Sequence, residues 1–161
     1  MDDKSAKKVL EELNIPYQEF THPAVFTCEE AEKCCPAMPG IKEKNFFLRD
    51  KKGRNYYLIT LPAAKQIQLK ELGQIIGVKH LSFASDRRLK EVLSIEPGSV
   101  GLLALINDSE ALTTVFIDED LLREEWIQSH PLINTSTICF KTAELSRFFA
   151  DTGHEWKKIK I

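Results

Sequence analysis

Long apolar runs are missing from this chain. The longest, such as Gly101–Ile106, fall far short of the roughly 20 residues that a membrane span requires. The opening M-D-D-K-S-A-K-K is charged and carries no apolar segment, so no secretory leader and no membrane partner are expected. Glycine and proline number seven each, and they gather into no linker, repeat or low-complexity tract. No domain boundary is drawn, and residues 1–161 are expected to form a single domain. The glycines are too scattered for a phosphate-cradling loop. G-x-S-x-G, H-E-x-x-H and G-x-x-x-x-G-K-[ST] are all absent, which sets aside the common serine-hydrolase, zinc-protease and P-loop classes. Cysteine is sparse: Cys28, Cys34, Cys35 and Cys139 form no C-x-x-C, and the adjacent pair would make only a strained bridge. His22 with Cys28 and Cys34 fits no standard zinc spacing. The expectation is reduced thiols in a soluble, cytoplasmic protein with no metal or other cofactor.

What is present is an ordinary globular composition with an uneven charge. Hydrophobic residues make up 43% of 161, enough to bury a core. The net charge of −2 conceals a basic stretch, residues 42–90, with twelve Lys/Arg against four Asp/Glu. Residues 91–125 reverse it, with one Arg against nine Asp/Glu. A segregated basic stretch can meet polyphosphate, provided the segregation survives folding.

Periodicity predicts α/β architecture of the α+β type. Ala6, Val9, Leu10 and Leu13 recur at helical spacing after an Asp2 or Asp3 cap. Tyr17–Phe20 reads as a strand, and Thr27 with Glu30 as a capping box. Asn45–Arg49 and Tyr56–Leu61 flank a Gly53 turn as a hairpin. Leu69, Leu72, Ile75 and Ile76 mark a helix stopped by Gly77, and Ser85 caps another through Leu93. Leu102–Ile106 and Thr114–Ile117 are expected as paired strands. Thr137–Phe140 and Glu155–Ile159 add strands around a helix over Thr142–Ala150. The sum is a mixed, largely antiparallel sheet with helices packed on it.

Three places suggest chemistry. Lys44 shares a strand face with Phe46 and Leu48, whereas Asn45 faces the other way with Phe47. Pro131 restricts His130 to an extended backbone and fixes where its imidazole leaves the chain, and Asn134 can shape the turn that follows. Glu96-Pro97-Gly98-Ser99-Val100-Gly101 is a turn whose backbone N–H groups are approachable.

In order, V-F-T-C-E-E-A, K-N-F-F-L-R-D-K-K-G-R, L-S-F-A-S, E-P-G-S-V, L-I-N-D and H-P-L-I-N-T resemble the YbaK/ProX family, free-standing relatives of the editing domain of bacterial prolyl-tRNA synthetases. The resemblance runs from about Val25 to the C-terminal helix. Lys44-Asn45 with His130 is most similar to its alanine-specific ProX branch. The resemblance implies a trans-editing hydrolase that cleaves the aminoacyl ester of alanyl-tRNA(Pro). Lys44 matches the family's essential lysine, Asn45 its neighbour, and His130 the histidine of H-P-x-x-N. Gly98 matches the start of the family's G-x-x-x-P loop, and beside the resemblance Gly98, Ser99, Val100, Gly101 and Asn134 are the candidate substrate-binding residues. Leu102 stands where the family's G-x-x-x-P loop has proline. Aminoacyl-tRNA(Pro) and prolyl-tRNA synthetase are the implied partners, with no DNA. The alternatives are a cysteinyl-tRNA(Pro) deacylase of the YbaK type and a non-catalytic module that binds tRNA or a synthetase.

Overall fold

The computed structural model describes residues 3–23, 38–133 and 135–161. Helix α1 (Asp3–Glu12) is followed by β1 (Tyr17–Thr21), β2 (Ile41–Arg49) and β3 (Tyr56–Pro62). Then come α2 (Leu69–Ile76), β4 (Ser82–Phe83), α3 (Asp86–Leu93), β5 (Thr113–Asp118) and α4 (Glu119–Leu122). Strands β6 (Trp126–Ser129) and β7 (Ser136–Lys141), helix α5 (Leu145–Thr152) and β8 (Trp156–Ile159) complete the order. The proposed Asp2 cap and the Thr27–Glu30 box lie outside the described residues.

The strands make one sheet ordered β1-β7-β6-β2-β3-β5-β8, with β4 beside β2. Pairs β1–β7, β6–β7, β2–β3 and β2–β4 are antiparallel, whereas β2–β6, β3–β5 and β5–β8 are parallel. The sheet is therefore mixed, as the periodicity predicts. The β2–β3 hairpin pairs Asn45 with Thr60 and Arg49 with Tyr56. Its turn is drawn in by Asp50, whose Oδ1 accepts the Arg54 N–H at 2.9 Å, while Gly53 takes the left-handed φ of +66° that the turn requires.

Both faces of the sheet are covered. On one lie α1, α3, α5 and the 102–107 segment, over a core that includes Phe47, Leu58, Val115 and Phe140. On the other, α2 packs Leu72 against Leu48, Ile59, Leu61 and Phe116. Ser85 caps α3 by accepting the Arg88 N–H, and Gly77 ends α2 at φ +76°, both as expected.

Two expectations fail. Leu102–Asn107 is a 3-10 helix, not a strand. Leu102, Leu103, Ala104 and Leu105 are all buried, so the run has no half-exposed alternation for a strand to use. Strand β6 was not expected: Trp126-Ile127-Gln128-Ser129 is buried at three of its four positions and carries no period-two signal.

A buried pair ties two loops together across the sheet end. His154 Nε2 lies 2.9 Å from Asp108 Oδ2, and Asp108 also accepts the N–H groups of Leu112 at 3.0 Å and Thr113 at 2.9 Å. Burial alone would push the Asp108 carboxyl up, but the bonds from His154, Leu112 and Thr113 outweigh it and hold it below the usual Asp range. Its stabilisation is therefore present above the ordinary carboxylate range and is lost as pH falls through the lowered value. Asp108→Asn, which presents one acceptor oxygen instead of two, should cost about 2 kcal/mol in urea denaturation at neutral pH. The gap from wild type should narrow below about pH 4.

Candidate active site

The sheet opens beside β2. On the edge opposite β3, β2 pairs with β6 only at Ile41 and Lys42, and with β4 only at Leu48 and Arg49. The Phe47 carbonyl still accepts the Ala84 N–H at 3.0 Å, so among the described residues it is 43–46 that face no strand on that side. The chain on either side of this slot brings in the remaining candidates: His130 follows β6, and the Gly98–Gly101 loop leads into the 3-10 helix.

Alternation along β2 splits its side chains between the two faces. Glu43, Asn45 and Phe47 point to the larger core. The Asn45 amide is fixed there from both ends: its Oδ1 accepts the Thr60 hydroxyl at 2.6 Å, and its Nδ2 donates to Glu43 Oε1 at 3.2 Å. Ser129 Oγ donates to the same Glu43 oxygen at 2.8 Å. A Cβ placed on Gly101 would stand 3.7 Å from Glu43 Oε1, from the His130 carbonyl oxygen and from Ser129 Oγ. The structure therefore gathers Asn45, Gly101 and the His130 backbone around Glu43.

Glu43 is the residue that sequence reasoning missed. Its stem is partly exposed, but its carboxyl head is enclosed, and Oε2 is buried with no hydrogen-bond partner among the described residues. Burial pushes the carboxyl up to about 7, against bonds from Ser129, Asn45 and the Leu102 N–H that favour the charged form. The available signal was period two: a glutamate two residues before Asn45 and four before Phe47 must share their inward face.

Lys44 lies on the opposite face. Its Nζ donates to the Lys65 carbonyl and sits 5.8 Å from the Phe46 ring centre. Phe46 in turn meets Phe83 edge-on at 5.6 Å, and Phe83 is 58% exposed. Lys65 is anchored by buried Asp118 at 2.7 Å and by Asp120 at 2.6 Å, so the carbonyl that receives Lys44 is held in place. The structure does not bring the Lys44 ammonium together with Asn45; the strand's own alternation separates them.

The His130 ring is held by the Ser136 carbonyl, 3.3 Å from Nδ1. Burial lowers its pKa below the ordinary histidine value, nearby His22 lowers it further, and the Ser136 carbonyl works the other way. A neutral ring donating from Nδ1 leaves Nε2 as an acceptor. His22 is itself buried, with Nε2 2.8 Å from the Thr137 hydroxyl and Nδ1 2.9 Å from the Pro23 carbonyl.

In the Glu96–Ser99 turn, Pro97 and Gly98 hold the two central positions, Gly98 at φ +91°, and the Ser99 N–H reaches the Glu96 carbonyl at 3.1 Å. Gly101, by contrast, has an extended backbone at φ −165°, which any residue adopts. Cys139 is buried with its thiol pushed up to about 11, which leaves it no thiolate for attack near neutral pH. Asn134, Cys28, Cys34 and Cys35 lie outside the described residues.

Residues 22–148 match the aminoacyl-tRNA editing domain family. The chain is 35% identical over 162 residues to "Prolyl-tRNA editing protein ProX" of Acetoanaerobium sticklandii, covering 100% of this chain and 99% of that protein. It is also 35% identical over 153 residues to "Prolyl-tRNA synthetase associated domain-containing protein 1" of Danio rerio, covering 94% and 83% of the two. Among solved structures, a candidate trans-editing enzyme for prolyl tRNA synthetase superposes with a TM-score of 0.70 at 20% identity, over 99% of this chain and 96% of that one. At that identity the likeness is one of fold.

The raised Glu43 carboxyl has a consequence for stability. Between its ordinary value of 4.5 and about 7, the folded state keeps a proton that the unfolded chain has lost. Glu43 therefore makes the fold less stable as pH rises through that window, and its effect is level above it. Glu43→Gln removes this titration. Its melting temperature should gain on wild type as pH rises from about 5 to about 8, and a constant difference across that range would place the carboxyl in contact with water.

Proposed function

This chain belongs to the aminoacyl-tRNA editing domain family, and from that premise we propose that it removes alanine wrongly attached to tRNA(Pro). The observation that supports the reading is the break in strand pairing beside residues 43–46, where Asn45, Gly101 and the His130 backbone gather around Glu43. An aminoacyl ester is labile, so it needs positioning and oxyanion stabilisation more than a protein nucleophile. Water adds to the ester carbonyl, the bond to the ribose oxygen breaks, and that oxygen leaves as a hydroxyl after taking up a proton. In this scheme His130 Nε2 accepts a hydrogen bond from the attacking water, and backbone N–H groups of the Gly98–Gly101 loop receive the carbonyl oxygen. Lys44 meets RNA phosphate as a point charge from the opposite face, beside the exposed Phe83 ring. Proline is excluded by size, because a pocket rejects a larger group more readily than a smaller one.

Deacylation of alanyl-, cysteinyl- and prolyl-tRNA(Pro) under single-turnover conditions tests this directly. Alanyl-tRNA(Pro) should be cleared and prolyl-tRNA(Pro) retained. Faster clearance of the cysteinyl ester would move the chain to the cysteine-specific branch, and no hydrolysis would make it a binding module. Lys44→Ala should lower the rate at least roughly tenfold while leaving the fold intact, since its ammonium bonds one loop carbonyl and fills no core space. Gly101→Val should also fold, because its backbone is extended and a Cβ meets only ordinary contacts. Its γ-methyls should nevertheless slow alanine removal about tenfold or more by entering the slot. Normal turnover in that variant would put the pocket elsewhere.

The basic hairpin yields a separate expectation. Lys51, Lys52 and Arg54 are exposed at its tip. Reversing all three charges should weaken tRNA affinity and flatten its dependence on salt, with little change in hydrolysis at saturation. Unchanged affinity would mean that the tip faces away from RNA.

A further inference from the structure

We propose that Glu43 is the receptor for the free α-ammonium of the bound amino acid, so that the protein distinguishes aminoacyl esters from esters lacking that amine. This rests on the deacylase reading above and adds the group on the substrate that the site reads.

The hydrogen-bond donors to the Glu43 carboxyl are the Ser129 hydroxyl, the Asn45 amide and the Leu102 N–H, all neutral. Among the described residues no lysine, arginine or histidine forms an ion pair with it. Lys44, its chain neighbour, is committed to the Lys65 carbonyl on the other face. An enclosed carboxylate without a counter-ion is costly, and among the described residues no group bonds its buried Oε2. A cation or a strong donor would satisfy it.

Glu43 Oε1, the His130 carbonyl oxygen and Ser129 Oγ all stand 3.7 Å from the point that a Cβ on residue 101 would occupy. Three oxygens border the room that a single small group at this position would fill. An ammonium group donates three hydrogen bonds, so such a cluster of acceptors is complementary to it. A carboxylate would be repelled there.

At position 102, where the resemblance leads one to expect proline, leucine keeps an N–H that favours the charged Glu43 carboxyl. Proline has no N–H to give. With Glu43 raised to about 7, an arriving cation also favours its charged form, so ammonium binding and ionisation reinforce each other near neutral pH.

The test replaces only the amine. Alanyl-tRNA(Pro) treated with nitrous acid becomes lactyl-tRNA(Pro), with a hydroxyl where the ammonium stood. Single-turnover rates on both esters, each divided by its spontaneous hydrolysis rate, are measured for wild type, Glu43→Gln and Glu43→Asp. Wild type should prefer the alanyl ester by roughly tenfold or more, the range expected of a charge-assisted hydrogen bond. Glu43→Gln should lose most of that preference by slowing on the alanyl ester alone, and Glu43→Asp should keep part of it. Equal normalised rates in wild type would overturn the proposal without any variant. A folded Glu43→Gln protein with the preference intact would overturn it as well, while leaving the deacylase reading standing. Failure of wild type to hydrolyse either ester would overturn the deacylase reading and this inference with it.

Discussion

The position of β2 between two cores is the constraint from which the site follows. Only Phe47 and Leu48 are fully buried, but the half-buried residues before them are partly covered on either face. Polar groups near its start are therefore held by partners from elsewhere in the chain. Phe47 and Leu48 show the alternation farther along, each fully committed to a different core. At residues 43–45 the same alternation sends a carboxyl and an amide one way and an ammonium the other. Each finds a partner from a different part of the chain: Ser129 and Thr60 on one face, the Lys65 carbonyl on the other. The site is where the sheet's neighbours diverge and these obligations meet.

That divergence also decides what is rigid. Asn45 cannot turn without breaking bonds to both Thr60 and Glu43, and Glu43 is tied in turn to β6 and to the start of the 3-10 helix. A bond network closed in this way holds its members more firmly than the same bonds made separately. Lys65 does the equivalent on the other face, where its ion pairs with Asp118 and Asp120 fix the loop that receives Lys44. Both groups flanking the slot are therefore preorganised by contacts distant in sequence.

Local chemistry was legible in the sequence wherever it was local. The Gly53 turn, the Ser85 cap and the Gly77 stop depend on backbone geometry that their own residues dictate. The hairpin was legible for the same reason. The 102–106 run was misread because burial on all sides erases the periodicity that separates a strand from a helix. Strand β6 was missed because its partners, β2 and β7, impose its conformation from outside. In the site, the opposite directions of Lys44 and Asn45 were readable from period two. Glu43 was equally readable, but a glutamate between two lysines looks like a solvated charge until Ser129 and Gly101, more than fifty residues away, are known to close over it.

The charge pattern shows how far distance along the chain misleads. Residues 42–90 and 91–125 carry opposite surpluses, yet folding joins them. Lys65 from the first pairs with Asp118 and Asp120 from the second, and Asp108 is held by His154. Arg88 is turned inward, bonding the Gly53 carbonyl at 3.1 Å and the Tyr56 hydroxyl at 2.5 Å, where it braces the hairpin. Its charge is thereby directed at the protein's own turn. What stays open to solvent from the basic stretch includes Lys51, Lys52 and Arg54, at the tip that Arg88 supports. The positive charge left at that tip is thus smaller than the sequence surplus, and it is carried on the strand pair that also delivers Glu43, Lys44 and Asn45.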